Sequence, residues 1–342
     1  MPTPRKLLVD PLVTRLYHCI SRCVRHAHLC GDGNEHRKDW IEQRLEQLAS
    51  IFAIEVCGYS VLDSHLHVVV QLDPDRAKSW TDQEILERWT KLYPGGAGLA
   101  NVPDNPEEIV ISTPDDQPRA ERLRSRLASL SWFMKCLKEP LARRANKEDG
   151  VSGAFWAARF KSIAILDEES LLATCAYVDL NPLAAGVSET PEDSPHTSVH
   201  ARVEHCRQHG AIAKLVTKEM DPSKAERIAE LEQSHWLCPI DDRRDRGSKR
   251  PGLVAGFSLR SYLLLVDWTA RLHREGKSRM RRDVSGILER LGTSAERWGQ
   301  TLEKLLSQKK LIGNAFGRPD SLHRLATARQ LRWVKNLAGR PA

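Results

Sequence analysis

The sequence predicts an α+β fold: a ferredoxin-like, split βαβ unit with an antiparallel sheet, followed by a mainly helical, basic C-terminal region. Three observations carry this expectation. The apolar pattern between residues 12 and 181 switches period in the order β-α-β-β-α-β-α, the order of a split βαβ unit with one helix added. From Glu189 onward no strand pattern recurs. The positive charge gathers late: residues 251–342 hold 18 Lys and Arg against 7 Asp and Glu, a net +11, so residues 1–250 carry −4 within the chain's +7.

Residues 12–24, LVTRLYHCISRCV, are rich in β-branched side chains and read as a first strand, bounded by a loop reaching Asn34. Residues 36–53 place Trp40, Ile41, Leu45, Leu48 and Phe52 at helical spacing. Two strands follow, 54–62 and 65–72, joined by a tight turn at Asp63 and Ser64, which predicts an antiparallel hairpin. Residues 73–118 interrupt the unit with a short helix over 82–92 and a tract holding Pro94, Gly95, Gly96, Gly98, Pro103, Pro106, Pro114 and Pro118. Such a composition breaks helices and ladders alike, so an inserted surface loop is expected.

A long helix resumes over 119–146, basic on one side (Arg122, Arg126, Arg143, Arg144) and apolar on the other (Leu123, Leu127, Leu130, Phe133, Met134, Leu137, Leu141). Pro140 should kink or split it, having no N–H to donate. Residues 152–166 read as an aromatic, basic loop entering a strand. Phe155, Trp156 and Phe160 with Arg159 and Lys161 suit either base stacking with phosphate contacts or a core strand. Asp167 is placed to cap a helix over 168–181 whose first turn is acidic, and Pro182 ends it. Beyond it, Pro191 and Pro195 open a loop, helical patches follow, and residues 241–252 (DDRRDRGSKRPG) read as a solvated linker. Residues 258–339 are helical and Arg-rich, with Trp268, Trp298 and Trp333 as expected core anchors. The units expected are 10–190, 191–250 and 251–342.

Composition narrows the function classes. The 342 residues open on nothing resembling a signal peptide and hold no apolar run of about 18, so a cytoplasmic protein without a membrane span is expected. Eight scattered cysteines without a C-x-x-C pair predict reduced, mostly buried thiols. The run CISRCVRHAHLC, residues 19–30, invites a zinc reading, but its spacings fit no regular finger. A late basic segment can bring a polyanion, DNA or RNA, to a nearly neutral or acidic body; it can also be a solvated helical face.

Chemistry concentrates at His65 and His67, which flank Leu66 in the second hairpin strand. Alternation puts both imidazoles on one face, roughly 7 Å apart along the strand, with Leu66, Val68 and Val70 on the other. Two histidines so placed can grip one divalent ion; a merely solvated polar face is the alternative. A second pair, His26 and His28, follows arginines in what reads as a loop. In the helix over 168–181, Ser170, Thr174, Tyr177 and Asn181 form one polar stripe, with Tyr177 and Asn181 about 6 Å apart along the axis. That stripe faces either the histidines or solvent.

HLH at 65–67, AYVDLNP at 176–182 and the βαββαβ order together resemble the single-tyrosine HUH transposases, of the insertion-sequence type and the REP-associated tyrosine transposases. LNPLAAGV and FWAARFKS look similar to that family's phrasing too. The resemblance covers roughly residues 10–190; Ala157 and the length of the 73–118 loop depart from it. It implies an HUH nuclease domain in which Tyr177 is the nucleophile and His65, His67 and Asn181 hold one Mg²⁺ or Mn²⁺. It further implies a DNA transposase and endonuclease acting on single-stranded or hairpin DNA through a 5′-phosphotyrosine link, as a monomer or homodimer, nucleoid-associated when bound. Arg122, Arg126, Phe155, Trp156, Arg159 and Lys161 are the expected DNA contacts. Rival readings are a domesticated, non-cleaving DNA- or RNA-binding regulator on the same fold, a replication or plasmid-transfer nickase, and a zinc-dependent structural protein built on residues 19–30. Neither a fused helicase nor a second nucleophilic tyrosine is evident for the nickase.

Overall fold

The computed structural model describes residues 8–92, 119–212, 222–275 and 288–336, apart from 290, 292, 308–312, 332–333 and 335. The Pro/Gly-rich tract from 93 to 118 and Trp333 therefore lie outside the described residues.

The chain is α+β around one five-stranded sheet. Its strands are β1 (Leu16–Arg22), β2 (Ile54–Val61), β3 (His65–Leu72), β4 (Lys161–Ile165) and β5 (Ala315–Phe316), in the spatial order β2-β3-β1-β4-β5. β1 pairs antiparallel with β3 and β4, and β2 with β3, the expected hairpin. The sheet is mixed, where the sequence predicted a purely antiparallel one, because β5 runs parallel to β4. A two-residue strand is too short to show alternation, so nothing in the sequence pattern announced it.

Each strand sends alternate side chains to opposite layers. Tyr17, Cys19, Val56, Tyr59, Leu66, Val68 and Val70 pack with the apolar stripe of α1 (His36–Ile51) and that of α5 (Leu130–Glu148). Ile20, Val69, Ile163 and Ile165 face a second core containing Leu172, Ala176, Leu265 and Trp298. The second layer is led by α6 (Glu168–Asp179), which Asp167 caps by accepting from the Ser170 N–H at 3.0 Å, as the sequence predicts. Helices cover both faces, which is why the central strands are buried almost throughout.

After β3 come α2 (Pro74–Ser79) and α3 (Asp82–Leu92), the latter where a short helix was expected; the expected helix over 119–146 does divide, but not at Pro140. It breaks at Ser129, whose backbone is extended, into α4 (Arg119–Leu127) and α5, and α5 runs through Pro140. Proline leaves the carbonyl four residues back without its helical donor. Here that carbonyl, of Cys136, accepts from Arg44 Nε at 3.1 Å instead.

Residues 241–252 are not the solvated linker expected. Only their tip is exposed. Arg250 donates to Glu55 on β2 at 2.7 Å and to the carbonyls of Gln233 and His235 at 2.9 and 2.6 Å. The carbonyl of Asp241 and the amide of Asp242 lie so close to Gly252 that a Cβ there would sit 2.4 Å from both, so glycine is required for the approach. The basic C-terminal part likewise belongs to the body: Trp298, Tyr262 and Phe316 are buried in the second core, and β5 joins the sheet. All eight cysteines are buried, as expected. Among the described residues, no helix is long and apolar enough to cross a membrane.

Candidate functional site

Register decides which side chains meet. Arg22 pairs with His65, and Ile20 and Ser60 both pair with His67, so these residues share one face of the sheet, the face under α6. That face is covered, which rules out the merely solvated alternative for His67: it is 1 % exposed. Ring centroids of His65 and His67 lie 5.0 Å apart.

Of the two readings of the polar stripe, the structure takes the one that turns it towards the histidines. The Tyr177 ring meets His67 edge-on at 5.5 Å and His18 at 6.0 Å. Leu180 keeps helical backbone angles, so Asn181, at the start of the short α7 (Asn181–Ala184), stays one turn beyond Tyr177. Its side chain lies beside both Tyr177 and His65, where it acts to lower the phenol's pKa and to raise the imidazole's. Pro182 falls in the first turn of α7, where its missing N–H costs nothing. Tyr177, His65, His67 and Asn181 thus converge at one place, although the sequence separates them by more than a hundred residues.

Burial sets the electrostatics. It pushes the His65 pKa down to about 4, helped by the Arg22 charge and opposed by the bond to Asn181. Burial, then His65 and His18, holds His67 well below the ordinary imidazole value. His18 is lowered to about 3 by burial and by Lys161. At neutral pH these rings are uncharged, the state in which imidazole ligates a cation. Burial raises the Tyr177 phenol, against the Asn181 hydrogen bond and the Arg22 charge, so the hydroxyl keeps its proton at neutral pH.

The same shifts predict acid sensitivity. A histidine whose pKa is depressed in the folded state takes up its proton more readily when unfolded, so its contribution is complete above the unfolded value near 6.5 and is lost as pH falls towards the folded one. Between pH 6.5 and 5 each ring that stays neutral should cost up to about 2 kcal/mol. His235, lowered to about 2 by burial and Arg202, adds to this. Urea unfolding at pH 7 and pH 5, before most carboxylates titrate, should show the midpoint fall; equal midpoints would mean that the rings protonate within the fold.

Two site residues were not singled out in the sequence, His18 and Arg22. The signal was present: His18, Ile20 and Arg22 alternate along β1 on the face shared with His65 and His67. The expected DNA contacts divide. Trp156 bridges to Cys23 and the Ala157 N–H donates to the Arg22 carbonyl at 2.9 Å, bringing this loop beside the site. Arg159 is exposed, and Lys161 opens β4 opposite Ile20 on the histidine face. Phe155 takes the core alternative, 4 % exposed against Trp156 and so closed to base stacking. Trp156 is half-buried, its indole N–H donating to the Lys138 carbonyl at 3.0 Å. Arg122 and Arg126 lie on α4, in the layer across the sheet, where Arg126 stacks on Trp132 at 4.5 Å. The structure does not bring them to the histidines.

A separate group, Asp39, Glu42 and His196, places three potential metal-ligand atoms within 4.8 Å of one another. Glu42 accepts from the Tyr59 hydroxyl and pairs with His196 Nδ1 at 3.0 Å, so both its oxygens are already engaged. It sits at the outer edge of β2, where the Val61 N–H donates to the His196 carbonyl.

No protein-family model matches the chain, and no curated protein matches it in sequence. Among solved structures it is similar to a REP-associated tyrosine transposase bound to a REP hairpin, at 13 % identity over 60 % of this chain and 86 % of that one, with a TM-score of 0.35.

Proposed function

We propose that this protein is a metal-dependent DNA transposase and endonuclease of the single-tyrosine HUH type, cleaving single-stranded or hairpin DNA and rejoining strands. One observation carries the reading: a tyrosine, two neutral histidines and an asparagine beside them converge on the sheet face beneath α6. The strand order β2-β3-β1-β4, with α1 and α5 packed on one face, supports the ferredoxin-like arrangement expected for such a domain.

The donor set fits one divalent ion. His67 Nε2 is buried with no hydrogen-bond partner among the described residues, which is costly unless something else satisfies it. With His65 and the Asn181 amide oxygen it offers a mixed N,O set that suits Mn²⁺ better than Mg²⁺. When bound, the ion supplies charge to polarise the scissile phosphate and to stabilise the departing 3′-oxygen. Tyr177 attacks phosphorus in line; the bond to the 3′-oxygen breaks, a 3′-OH leaves, and a 5′-phosphotyrosine link forms. A later 3′-OH attacks that link, the phenol leaves, and strands rejoin without ATP. Asn181 positions the phenol and Arg22 stabilises its developing negative charge. The DNA path runs over Trp156, Arg159, Lys161 and Arg22, leaving Arg122 and Arg126 outside it.

A second reading, a non-cleaving regulator on the same fold, is favoured by one feature: Tyr177 is only 6 % exposed. Incubating the protein with Mn²⁺ and labelled hairpin DNA, then running a denaturing gel, separates the two. A slow-migrating covalent species is expected; specific binding without it supports the regulator. His67→Ala should abolish that species and weaken Mn²⁺ binding, measured by titration calorimetry, beyond the roughly 100-fold that losing an outer-sphere partner costs. Normal cleavage by this variant would place the metal elsewhere.

A further inference from the structure

The mechanism leaves one buried ring on this face without a task. His18 is 1 % exposed, its Nε2 lies 2.8 Å from His67 Nδ1, and the two rings stack at 5.0 Å with their planes 25° apart. The far nitrogens, His18 Nδ1 and His67 Nε2, have no partner among the described residues.

Two imidazole nitrogens at that separation share one proton, since two N–H groups would collide and two lone pairs would repel. The rings are therefore locked in matched tautomers. Either His67 carries its proton on Nδ1 and keeps a lone pair on Nε2, or the reverse. A ligating histidine ordinarily donates its second N–H to an acceptor that fixes its tautomer and orientation, most often a carboxylate or a carbonyl. No carboxylate hydrogen-bonds His67 among the described residues; the acceptor within reach is His18.

We propose that His18 is a positioning residue that accepts the His67 Nδ1 proton and so keeps the lone pair on Nε2, a role that rests on the metal reading above. A neutral acceptor has a consequence that a carboxylate would not. It orients the ligand without placing a negative charge beside an incoming phosphodiester, where like charges in a poorly solvated site repel strongly.

The test reads the tautomer directly, in metal-free protein, from long-range ¹H–¹⁵N correlations of ¹⁵N-labelled histidine. The parent chain should show His67 protonated on Nδ1. His18→Gln, whose amide oxygen can take the place of Nε2 as acceptor, should keep that signature, whereas His18→Leu should lose it and bind Mn²⁺ about 10- to 100-fold more weakly. A parent spectrum with the proton on His67 Nε2 overturns the proposal whether or not either variant folds. So does a folded His18→Leu with unchanged tautomer and Mn²⁺ affinity. Because the spectrum is recorded without metal, a parent chain that binds no Mn²⁺ overturns the metal reading and not the ring assignment.

Discussion

Tyr177→Phe is expected to bind hairpin DNA as the parent does and to form no covalent species, a loss of adduct formation on the order of 10⁴-fold or more, as for removal of a covalent nucleophile elsewhere. The substitution is clean because of how the ring is held. Its edge contacts with His67 and His18 belong to the ring, not to the hydroxyl, and survive in phenylalanine. What goes is the oxygen and its interaction with Asn181. Asn181 still lies beside His65. Gel-shift affinity and the denaturing-gel adduct, measured on one preparation, check the two halves separately. An adduct that persists in the variant would remove Tyr177 from the chemistry, whatever its position.

Asp179→Ala should cost roughly 3–5 kcal/mol in urea unfolding, the largest stability effect expected of a single residue near the site. Asp179 is completely buried two residues after Tyr177 and points away from it. Its carboxylate accepts from the Ser198 hydroxyl and from the Val199 N–H, at 2.9 Å, at the start of α8 (Ser198–Gln208), and from the Tyr262 hydroxyl in the helix Leu259–Glu275. Alanine would strand the Val199 N–H and the Tyr262 hydroxyl and leave the Ser198 hydroxyl only the Tyr59 carbonyl at 3.5 Å. Burial raises the Asp179 pKa against those bonds, so the ionised form itself costs stability, which is greatest below the unfolded value near 3.9 and declines as pH rises through the folded one. Asp179→Asn removes that charge cost and keeps an acceptor, and should lose about 1 kcal/mol. Equal losses for Ala and Asn would mean that the charge, not the hydrogen bonding, holds these helices.

Much of this was legible because periodicity is. Alternation over 54–72 located the hairpin and put His65 and His67 on one face; helical spacing over 168–181 put Tyr177 and Asn181 one turn apart. That these two faces meet is a tertiary fact, and the stripe alone allowed solvent as well. The misreadings share a cause: local rules assume that a segment must satisfy itself. Pro140 did not break its helix because Arg44, from another helix, takes the stranded carbonyl. Residues 241–252 look like a solvated linker, yet Arg250 finds Glu55 nearly two hundred residues earlier. His18 carried no motif of its own and acquires a partner only when β1 pairs with β3.

The late strand β5 has a temporal consequence. Leu166 donates its N–H to the Phe316 carbonyl at 3.0 Å, and Asp167, the cap of α6, also receives the Arg318 N–H at 2.8 Å, while the Arg318 guanidinium reaches Glu169 at 2.7 Å. The helix that carries the tyrosine is therefore fastened at its first turn by residues made some 140 positions after it. During synthesis, a nascent chain that already contains both histidines and the tyrosine still lacks the clasp that seats them together. A site assembled in this order stays unfinished until translation has passed Arg318, so the ribosome delivers it late.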